Sequence, residues 1–413
     1  MRGIVWIVLL FVVAVVAATT LGSNDGLVTL YWAGWRTDLS LNLFVILVLG
    51  SCALLMLAAK ALSALLSLPR RAEDWRSLRR ERAAQTALRQ ALAEYMGARY
   101  GRARKAAEQA LAVLPRSRSL AADIEFRLLA QLLAAGSRHR LQDHSGRDEV
   151  LQQALQVSGK RATSAQEATR LLAAEWALDD GDAQRALELL HSLVPGAARR
   201  THALRLKLRA TRMARQPLEA LHTARLLAKH QAFSPAVAQG LLRALAAEAL
   251  ESVHDHQQLQ RLWGQLDTSD RRDPHVVSRA ASRAVQLGEA AQARQWLRPF
   301  WSQLDRMSAE ERAVLAQALV DARHGIEADW LPSLESAGVA FGQEAAVQAA
   351  VGMVLSERQL WGKARSPLAH AAAADTLSGR SRRAAWRELA AIARHQSQEE
   401  EAQRCERAAA AVD

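Results

Sequence analysis

The stretch WRELAAIARHQSQEEEAQRCERAAA, residues 386–410, decides the fold of this chain. Small and apolar residues recur at helical spacing on both sides of the polar break HQSQEEE. Such spacing places them on one face of each helix, and small residues on that face allow two helices to approach closely. The stretch therefore predicts a pair of short packed helices. The residues that carry the pattern are Trp386, Leu389, Ala390, Ala393, Ala402 and Ala409.

The same pattern recurs along the chain with a nearly constant period, which is typical of tetratricopeptide repeats. Ala186 and Ala220, for example, lie one 34-residue period apart. Weaker copies are expected at 120–158 and 310–336, with a longer loop at 136–147. The other copies contain Tyr100, Ala103, Ala107, Ala110 and Pro115; Gly181, Asp182, Ala183, Ala186, Leu190 and Leu193; Ala280, Ala281, Ala284, Gly288, Ala293, Leu297 and Phe300; and Val351, Gly352, Leu355, Trp361, Ala364, Leu368 and Ala371.

Composition supports an all-α fold, in which repeats stack into an α-solenoid with a groove. Half of the 413 residues are hydrophobic, but only 5% are aromatic, and no stretch shows the sustained alternation of a large sheet. The two cysteines, Cys52 and Cys405, form no pair at metal-binding spacing and no disulfide framework.

Two apolar runs at the N-terminus predict an integral membrane protein. Gly3–Gly22 and Leu39–Ala59 each reach the length of about 20 residues that a membrane-spanning helix needs. A cleaved signal peptide is the alternative for the first run, but a second run follows directly. The expected segments are a first transmembrane helix at 1–24, a periplasmic segment at 25–38, a second transmembrane helix at 39–68, a basic linker helix at 69–87 and the repeat domain at 88–413.

Basic residues near the two runs predict the orientation in the membrane. Arg2 precedes the first run, Arg36 alone lies between the runs, and Lys60 and an arginine cluster follow the second. The positive-inside rule places both termini and the repeat domain in the cytoplasm. Tyr31, Trp32 and Trp35 are then expected as anchors at the outer interface.

The net charge of +12 suggests an anionic partner, and the distribution of the charge favours lipid over nucleic acid. Elsewhere, arginines alternate with acidic residues as on ordinary solvated helices, so no nucleic-acid partner is expected. The densest basic cluster directly follows the second apolar run, and we expect it to meet anionic headgroups. It contains Arg70, Arg71, Arg76, Arg79, Arg80 and Arg82.

The layout resembles the HemY family of proteobacterial inner-membrane proteins. The resemblance lies in the two runs, Gly26–Leu43 (GLVTLYWAGWRTDLSLNL), Leu68–Arg76 (LPRRAEDWR), Arg261–Val277 (RLWGQLDTSDRRDPHVV) and Leu360-Trp361-Gly362. It implies a non-catalytic membrane scaffold that recruits proteins for a late step of haem synthesis. An unrelated flavin-dependent protoporphyrinogen oxidase shares the name, but the GxGxxG motif that its cofactor needs is absent.

No catalytic motif is present, so the sequence predicts neither an enzyme nor a resident cofactor or metal. P-loop, HExxH, GxSxG and EF-hand patterns are all missing. Haem ligation by one histidine leaves no signature, so haem or protoporphyrin binding stays open. Six tryptophans are expected to pack between repeats, with a porphyrin-stacking surface as the alternative: Trp263, Trp296, Trp301, Trp330, Trp361 and Trp386.

One basic ladder is the candidate binding site. If Ala220 and Ala293 hold the same repeat position, then His202, Arg205, Arg209 and Arg212 share one stripe of a first helix, and first helices line the groove. This ladder could bind the carboxylates of an acidic partner segment or of porphyrin propionates, with an ordinary solvated face as the alternative. Two other functions remain open, namely an envelope-assembly repeat adaptor and a tetrapyrrole-binding carrier. The sequence does not predict the oligomeric state.

Overall fold

The computed structural model describes residues 26–157 and 163–412 and divides the chain into two units, which are separated after Val150. The first unit contains one β-hairpin and a set of helices. Its elements are β1 (Leu27–Trp32), β2 (Trp35–Ser40), α1 (Leu41–Met96), α2 (Tyr100–Val113), α3 (Arg118–Ala122), α4 (Ile124–Arg140) and α5 (His144–Leu155), the last of which crosses the boundary.

The hairpin was not expected from the sequence. β1 and β2 pair antiparallel, with Trp32 opposite Trp35. Ala33 and Gly34, which connect the strands, both have positive φ, as the preferred two-residue hairpin turns require. The segment predicted at 25–38 is therefore mostly strand, and its β-branched and aromatic residues explain why. The side chains of Tyr31, Trp32 and Trp35 are exposed.

Helix α1 contains 56 residues without interruption. Its first part, Leu41–Ser63, is the one helix in the described ranges that is long and apolar enough to cross a membrane. At 1.5 Å per residue the whole helix is about 84 Å long. The second span and the linker helix, expected at 39–68 and 69–87, thus run together. The first span, expected at 1–24, lies outside the described residues.

The C-terminal part of α1 packs against α2 and forms the first helix pair. Ala91 on α1 and Ala107 on α2 are fully buried in one cluster with Ala134 of α4. Ala103 and Ala110 are also fully buried, as the repeat pattern predicted. The loop predicted at 136–147 is wrong. Residues up to Arg140 belong to α4, and α5 begins at His144.

The second unit is built from successive helix pairs, with a first and a second helix in each. The first helices begin at intervals of 34 to 39 residues, close to the predicted period. Pairs are α6 (Ser164–Asp179) with α7 (Ala183–His191), then, after the one-turn helix α8 (Pro195–Ala198), α9 (Thr201–Met213) with α10 (Pro217–Lys229), α11 (Pro235–Glu251) with α12 (His256–Gln265), α13 (Pro274–Gln286) with α14 (Ala290–Trp301), α15 (Ala309–Asp321) with α16 (Leu331–Ala340), α17 (Ala345–Glu357) with α18 (Trp361–Ala373), and α19 (Gly379–His395) with α20 (Glu399–Ala411).

A small residue marks the same position in most second helices. The fourth residue of α10 is Ala220 and that of α14 is Ala293, and both are fully buried. The shared register that the sequence assumed for these two alanines is therefore confirmed. α12 and α16 have Leu259 and Leu334 at this position, also buried. The alanines at the fourth position are Ala103, Ala186, Ala220, Ala293, Ala364 and Ala402.

Arginine side chains join consecutive repeats across these apolar contacts. Each reaches a carboxylate or a backbone carbonyl oxygen about one repeat away in sequence, and the guanidinium donates charge-assisted hydrogen bonds there. Such contacts join Arg209 to Asp179, Arg243 to Asp273, Arg283 to the carbonyl oxygen of Val253, Arg294 to that of His324, and Arg312 to Glu344.

Candidate groove lined by the first helices

One face of the first helices lines two open cavities in the second unit, and we call this face the groove. A cavity of about 470 Å³ lies along α11, α13 and α15. A second cavity of about 680 Å³ lies along α13, α15, α17 and α19. Ser381 donates a hydrogen bond of 3.2 Å to Gln317 Oε1, which links α19 to α15 inside it. Polar and charged residues of the groove include Arg243, His275, Arg279, Gln317, His324 and Arg380.

The arginines of the groove differ in whether a nearby carboxylate neutralises their charge. Arg243 donates to Asp273 Oδ2 at 2.8 Å and lies 3.6 Å from Glu311. By contrast, Arg279 and Arg380 are exposed, and neither has an acidic partner in the described part of the chain. The groove therefore offers uncompensated guanidinium groups, which bind carboxylates by charge-assisted hydrogen bonds.

The predicted ladder lies on one exposed side of α9. His202, Arg205, Arg209 and Arg212 are the second, fifth, ninth and twelfth residues of this helix, and all four are exposed. The buried residues of α9, such as Leu204 and Leu208, face away from them into the core. The structure thus brings the four residues together as one stripe.

The order of these residues within their helix shows that the stripe corresponds to the groove-lining positions of other first helices. In α13, the second, fifth, ninth and twelfth residues are His275, Ser278, Ser282 and Val285. All four line the cavities. The ladder therefore occupies on α9 the positions that line the groove on α13.

Two of the four ladder residues have acidic neighbours on the preceding first helix, α6. Arg209 donates to Asp179 Oδ1 at 2.9 Å and to the carbonyl oxygen of Leu178 at 3.3 Å. His202 Nε2 lies 4.0 Å from Glu175. Arg205 and Arg212 make no ion pair with any residue that the structure describes. These two arginines are thus the part of the ladder that is open to an external anion.

The juxtamembrane arginines lie on α1, beyond its apolar part. Arg76, Arg79, Arg80 and Arg82 are exposed, and the Arg79 guanidinium lies 5.3 Å from the ring centre of Trp75. The side chains of Arg70 and Arg71 are outside the described atoms. Arg76 follows Ser63 by about 20 Å along the helix axis. Contact with headgroups at this distance needs a tilted helix or a span that extends past Ser63.

The six tryptophans do not form one surface. Trp301 and Trp330 are buried in the core, as expected for packing between repeats. The indoles of Trp263 and Trp296 stack with centroids 4.4 Å apart, and Trp361 stacks on His395 at 5.0 Å. Trp386 is half-buried and packs against the core. Across the described ranges, no three histidine, cysteine or acidic side chains gather as metal ligands would.

Residues 26–142 match the family model described as HemY protein N-terminus. This N-terminal part of the chain belongs to the HemY family. The matched part extends from the hairpin through α1 and α2 to the end of α4, so it includes the apolar segment and the first helix pair. No curated protein matches the chain.

Two solved structures resemble the chain weakly. One is described as the crystal structure of the APC/C hetero-tetramer Cut9-Hcn1, with 13% identity, a TM-score of 0.29, and coverage of 78% of this chain and 64% of that one. The other is described as Naa15/Naa10 bound to HypK-THB, with 12% identity, a TM-score of 0.25, and coverage of 76% and 56%. The chain spans less than two thirds of either.

The sequence did not identify the cations of the groove outside α9. Arg243, Arg279 and Arg380 occupy three different first helices. Their shared face becomes visible only once every helix has a fixed start, because one residue of error turns a helical position by about 100°. The ninth residues of α9, α11, α13 and α15 are Arg209, Arg243, Ser282 and Gln317, and this count is the signal that would have found part of the groove.

Proposed function

We propose that this chain is a membrane-anchored scaffold whose groove recruits proteins of a late step of haem synthesis. The observation that carries the proposal is the stripe of Arg205 and Arg212, which is exposed, lacks internal ion pairs and occupies groove positions. Membership of the HemY family over residues 26–142 supports the link to haem synthesis. The stacked helix pairs support protein binding, since solenoids present extended surfaces to partners.

In the proposed arrangement, two spans hold the repeats beside the cytoplasmic face of a bacterial inner membrane. Leu41–Ser63 has the length and composition of one span, and the apolar sequence Gly3–Gly22 would supply the other. Tethering confines partners to one surface, which raises their effective concentration without new contacts. The scaffold supplies proximity and no chemistry of its own, so we propose that it is not an enzyme.

The ladder would bind a carboxylate-bearing segment of the partner. Arg205 and Arg212 would pair with its acids directly, and Arg209 could exchange Asp179 for a partner carboxylate. Exchange between exposed ion pairs is nearly neutral in free energy, because each is worth less than about 1 kcal/mol. Recognition would then depend on several charges acting together and would weaken as salt is added.

Affinity purification of the full chain from its native membrane tests the proposal. Quantitative mass spectrometry should show haem-pathway enzymes enriched over a purification of an unrelated two-span protein. If none of these enzymes is enriched, the haem-pathway scaffold is rejected. A spectral titration of the purified chain with protoporphyrin tests the carrier alternative, for which a saturable shift of the Soret band is the signature.

A further inference from the structure

The second helices α12 and α14 border a cleft that is separate from the groove. It has a volume of about 850 Å³ and lies between α12, the turn at Asp270–Arg272, and α14. Trp263 and Trp296 form its apolar wall with Phe300 and Met307, and all four side chains are only partly buried. Large aromatic surface left open beside a cavity is typical of interaction sites.

These four side chains pack against the core, but this packing leaves part of the apolar wall exposed to the cleft. Trp301, one turn or so from Trp296 on α14, is 4% exposed and belongs to the core. Trp263 and Trp296 instead stack on each other and keep their outer surfaces toward the cleft. Two indoles are thus fixed in place before any ligand arrives, which lowers the entropic cost of binding to them.

Two arginines line the same cleft, and no residue that lines it is acidic. Neither Arg271 nor Arg272 has an ion pair with a residue that the structure describes. The nearby carboxylates have other partners, since Asp270 pairs with Arg225, and Asp273 pairs with Arg243 and caps α13. The cleft therefore has positive charge without internal compensation.

Asp267 directly precedes Thr268, which lines the cleft, and its charge is held by other contacts. It accepts hydrogen bonds of 2.9 Å from the backbone nitrogen and the hydroxyl of Ser269, and it lies 3.9 Å from Arg225. These contacts lower the pKa of Asp267, with the backbone hydrogen bond from Ser269 as the largest cause and Arg271 as the smallest. No ion pair joins Asp267 to Arg271 in the described part of the chain, so Arg271 stays open to an external anion.

We propose that this cleft binds a short acidic peptide segment of a partner protein, with one bulky apolar side chain against Trp263 and Trp296 and carboxylates on Arg271 and Arg272. Thr268 and Gln303 also line the cleft, and their side chains supply the donors and acceptors that an extended peptide backbone needs. The proposal assumes the scaffold function only in that the partner is a protein. It adds a second surface, on the second helices, to the groove on the first helices.

The test uses the full chain in nanodiscs and a phage library of random peptides. Selected peptides should combine aspartate or glutamate with phenylalanine, tryptophan or leucine. Fluorescence anisotropy then compares a selected peptide on the wild type and on the double variant Arg271→Ala, Arg272→Ala. The affinity should fall at least about tenfold, because two charge-assisted contacts are lost. Trp296→Ala should also weaken binding, and circular dichroism verifies that each variant is folded.

A charge-matched control uses Arg404→Ala with Arg407→Ala, two exposed arginines on α20. This control should bind the peptide as the wild type does. Selection without an acidic and apolar consensus, or equal affinity for wild type and the Arg271/Arg272 variant, overturns the proposal. If the peptide instead loses affinity only when Arg205 and Arg212 are replaced, the cleft proposal fails while recruitment through the groove survives.

Discussion

Gly352 of α17 lies against Leu368 of α18 so closely that a Cβ atom at Gly352 would be 2.7 Å from Leu368 Cγ and 3.0 Å from its backbone nitrogen. Because Gly352 has no Cβ atom, α17 and α18 can pack more closely here than any other residue would allow. Side-chain rotation cannot relieve the contact with the backbone nitrogen.

Gly352→Ala should lower the free energy of unfolding by about 1–3 kcal/mol, since the two helices would have to separate. Gly240→Ala is the matched control, because Gly240 is also inside a helix but has no atom within 4 Å of a new Cβ. This control should raise stability by about 0.5–1 kcal/mol through helix propensity. Thermal unfolding in nanodiscs compares the two, and equal effects would contradict the close packing.

Arg312 should make some of the strongest polar contacts between repeats. Its Nε donates to Glu344 Oε2 at 2.8 Å, its guanidinium reaches the carbonyl oxygens of Leu304 and Met307, and it lies 4.5 Å from the ring centre of Phe341. The hydrogen bonds with Glu344 raise the pKa of Arg312.

Arg312→Ala should cost about 2–3 kcal/mol, because Glu344 and two carbonyl oxygens lose a charged donor at a largely buried site. Arg312→Lys should recover only part of this, because an ammonium cannot pair with both carboxylate oxygens in the same plane. Lys363→Ala removes the exposed pair with Glu335 and should cost less than about 1 kcal/mol. Chemical denaturation measures all three, and equal losses would argue against a special role for Arg312.

Glu401 predicts a pH dependence for the last repeat. A hydrogen bond from Arg365 is the main cause that holds the pKa of Glu401 below its ordinary value of 4.5. A carboxyl whose pKa is lowered on folding stabilises the protein at pH above 4.5, and this contribution disappears as the pH falls through the lowered pKa. The contribution should stay below about 1 kcal/mol, because both side chains are about one-third exposed.

Glu401→Gln should therefore be less stable than the wild type at neutral pH and equally stable in acid. Melting temperatures over a pH series give this difference directly. Glu399→Gln, at the start of the same helix, is the control, since the structure shows no ion pair for Glu399 with a described residue. A difference that stays constant with pH, or that grows in acid, would contradict the assigned contact.

Much of the repeat architecture could be predicted from the sequence because the fourth residue of most second helices is a buried alanine. Ala186 and Ala220 reveal the period for this reason. The segment 136–147 was misread because Arg138, Arg140 and Arg147 make it look solvated. In the structure, Arg138 pairs with Glu108 at 3.0 Å, and Arg147 is 3% exposed and pairs with Asp148. The charged side chains of this segment are therefore held by contacts that form only in the folded protein, and they do not mark a loop.

The sequence predicted the position of the candidate site on α9, but it did not predict which of its basic residues have an acidic neighbour. The spacing of His202, Arg205, Arg209 and Arg212 predicts one stripe, and the structure places them on one face. Asp179, which pairs with Arg209, is 30 residues away in sequence, and no local sequence pattern predicts this contact. The hairpin was missed for another reason: most positions of its two strands are exposed, so no alternation of apolar and polar residues marks a buried face.

The proposed orientation predicts opposite labelling of two engineered cysteines. In a background of Cys52→Ala and Cys405→Ala, Thr37→Cys in the exposed hairpin should react with a membrane-impermeant maleimide in intact cells with a permeabilised outer membrane. Arg212→Cys on α9 should react only after the inner membrane is opened. Labelling of both sites, or of Arg212→Cys alone, in intact cells would reject a cytoplasmic repeat domain.

Recruitment of partners by the stripe on α9 is tested by co-purification with and without its two open arginines. The full chain with Arg205→Ala and Arg212→Ala loses no internal ion pair among the described residues, so its melting temperature should match that of the wild type. Its recovery of haem-pathway enzymes should fall several-fold, while the variant Arg404→Ala, Arg407→Ala recovers them at the wild-type level. Equal recovery by all three proteins would rule out recruitment through this stripe.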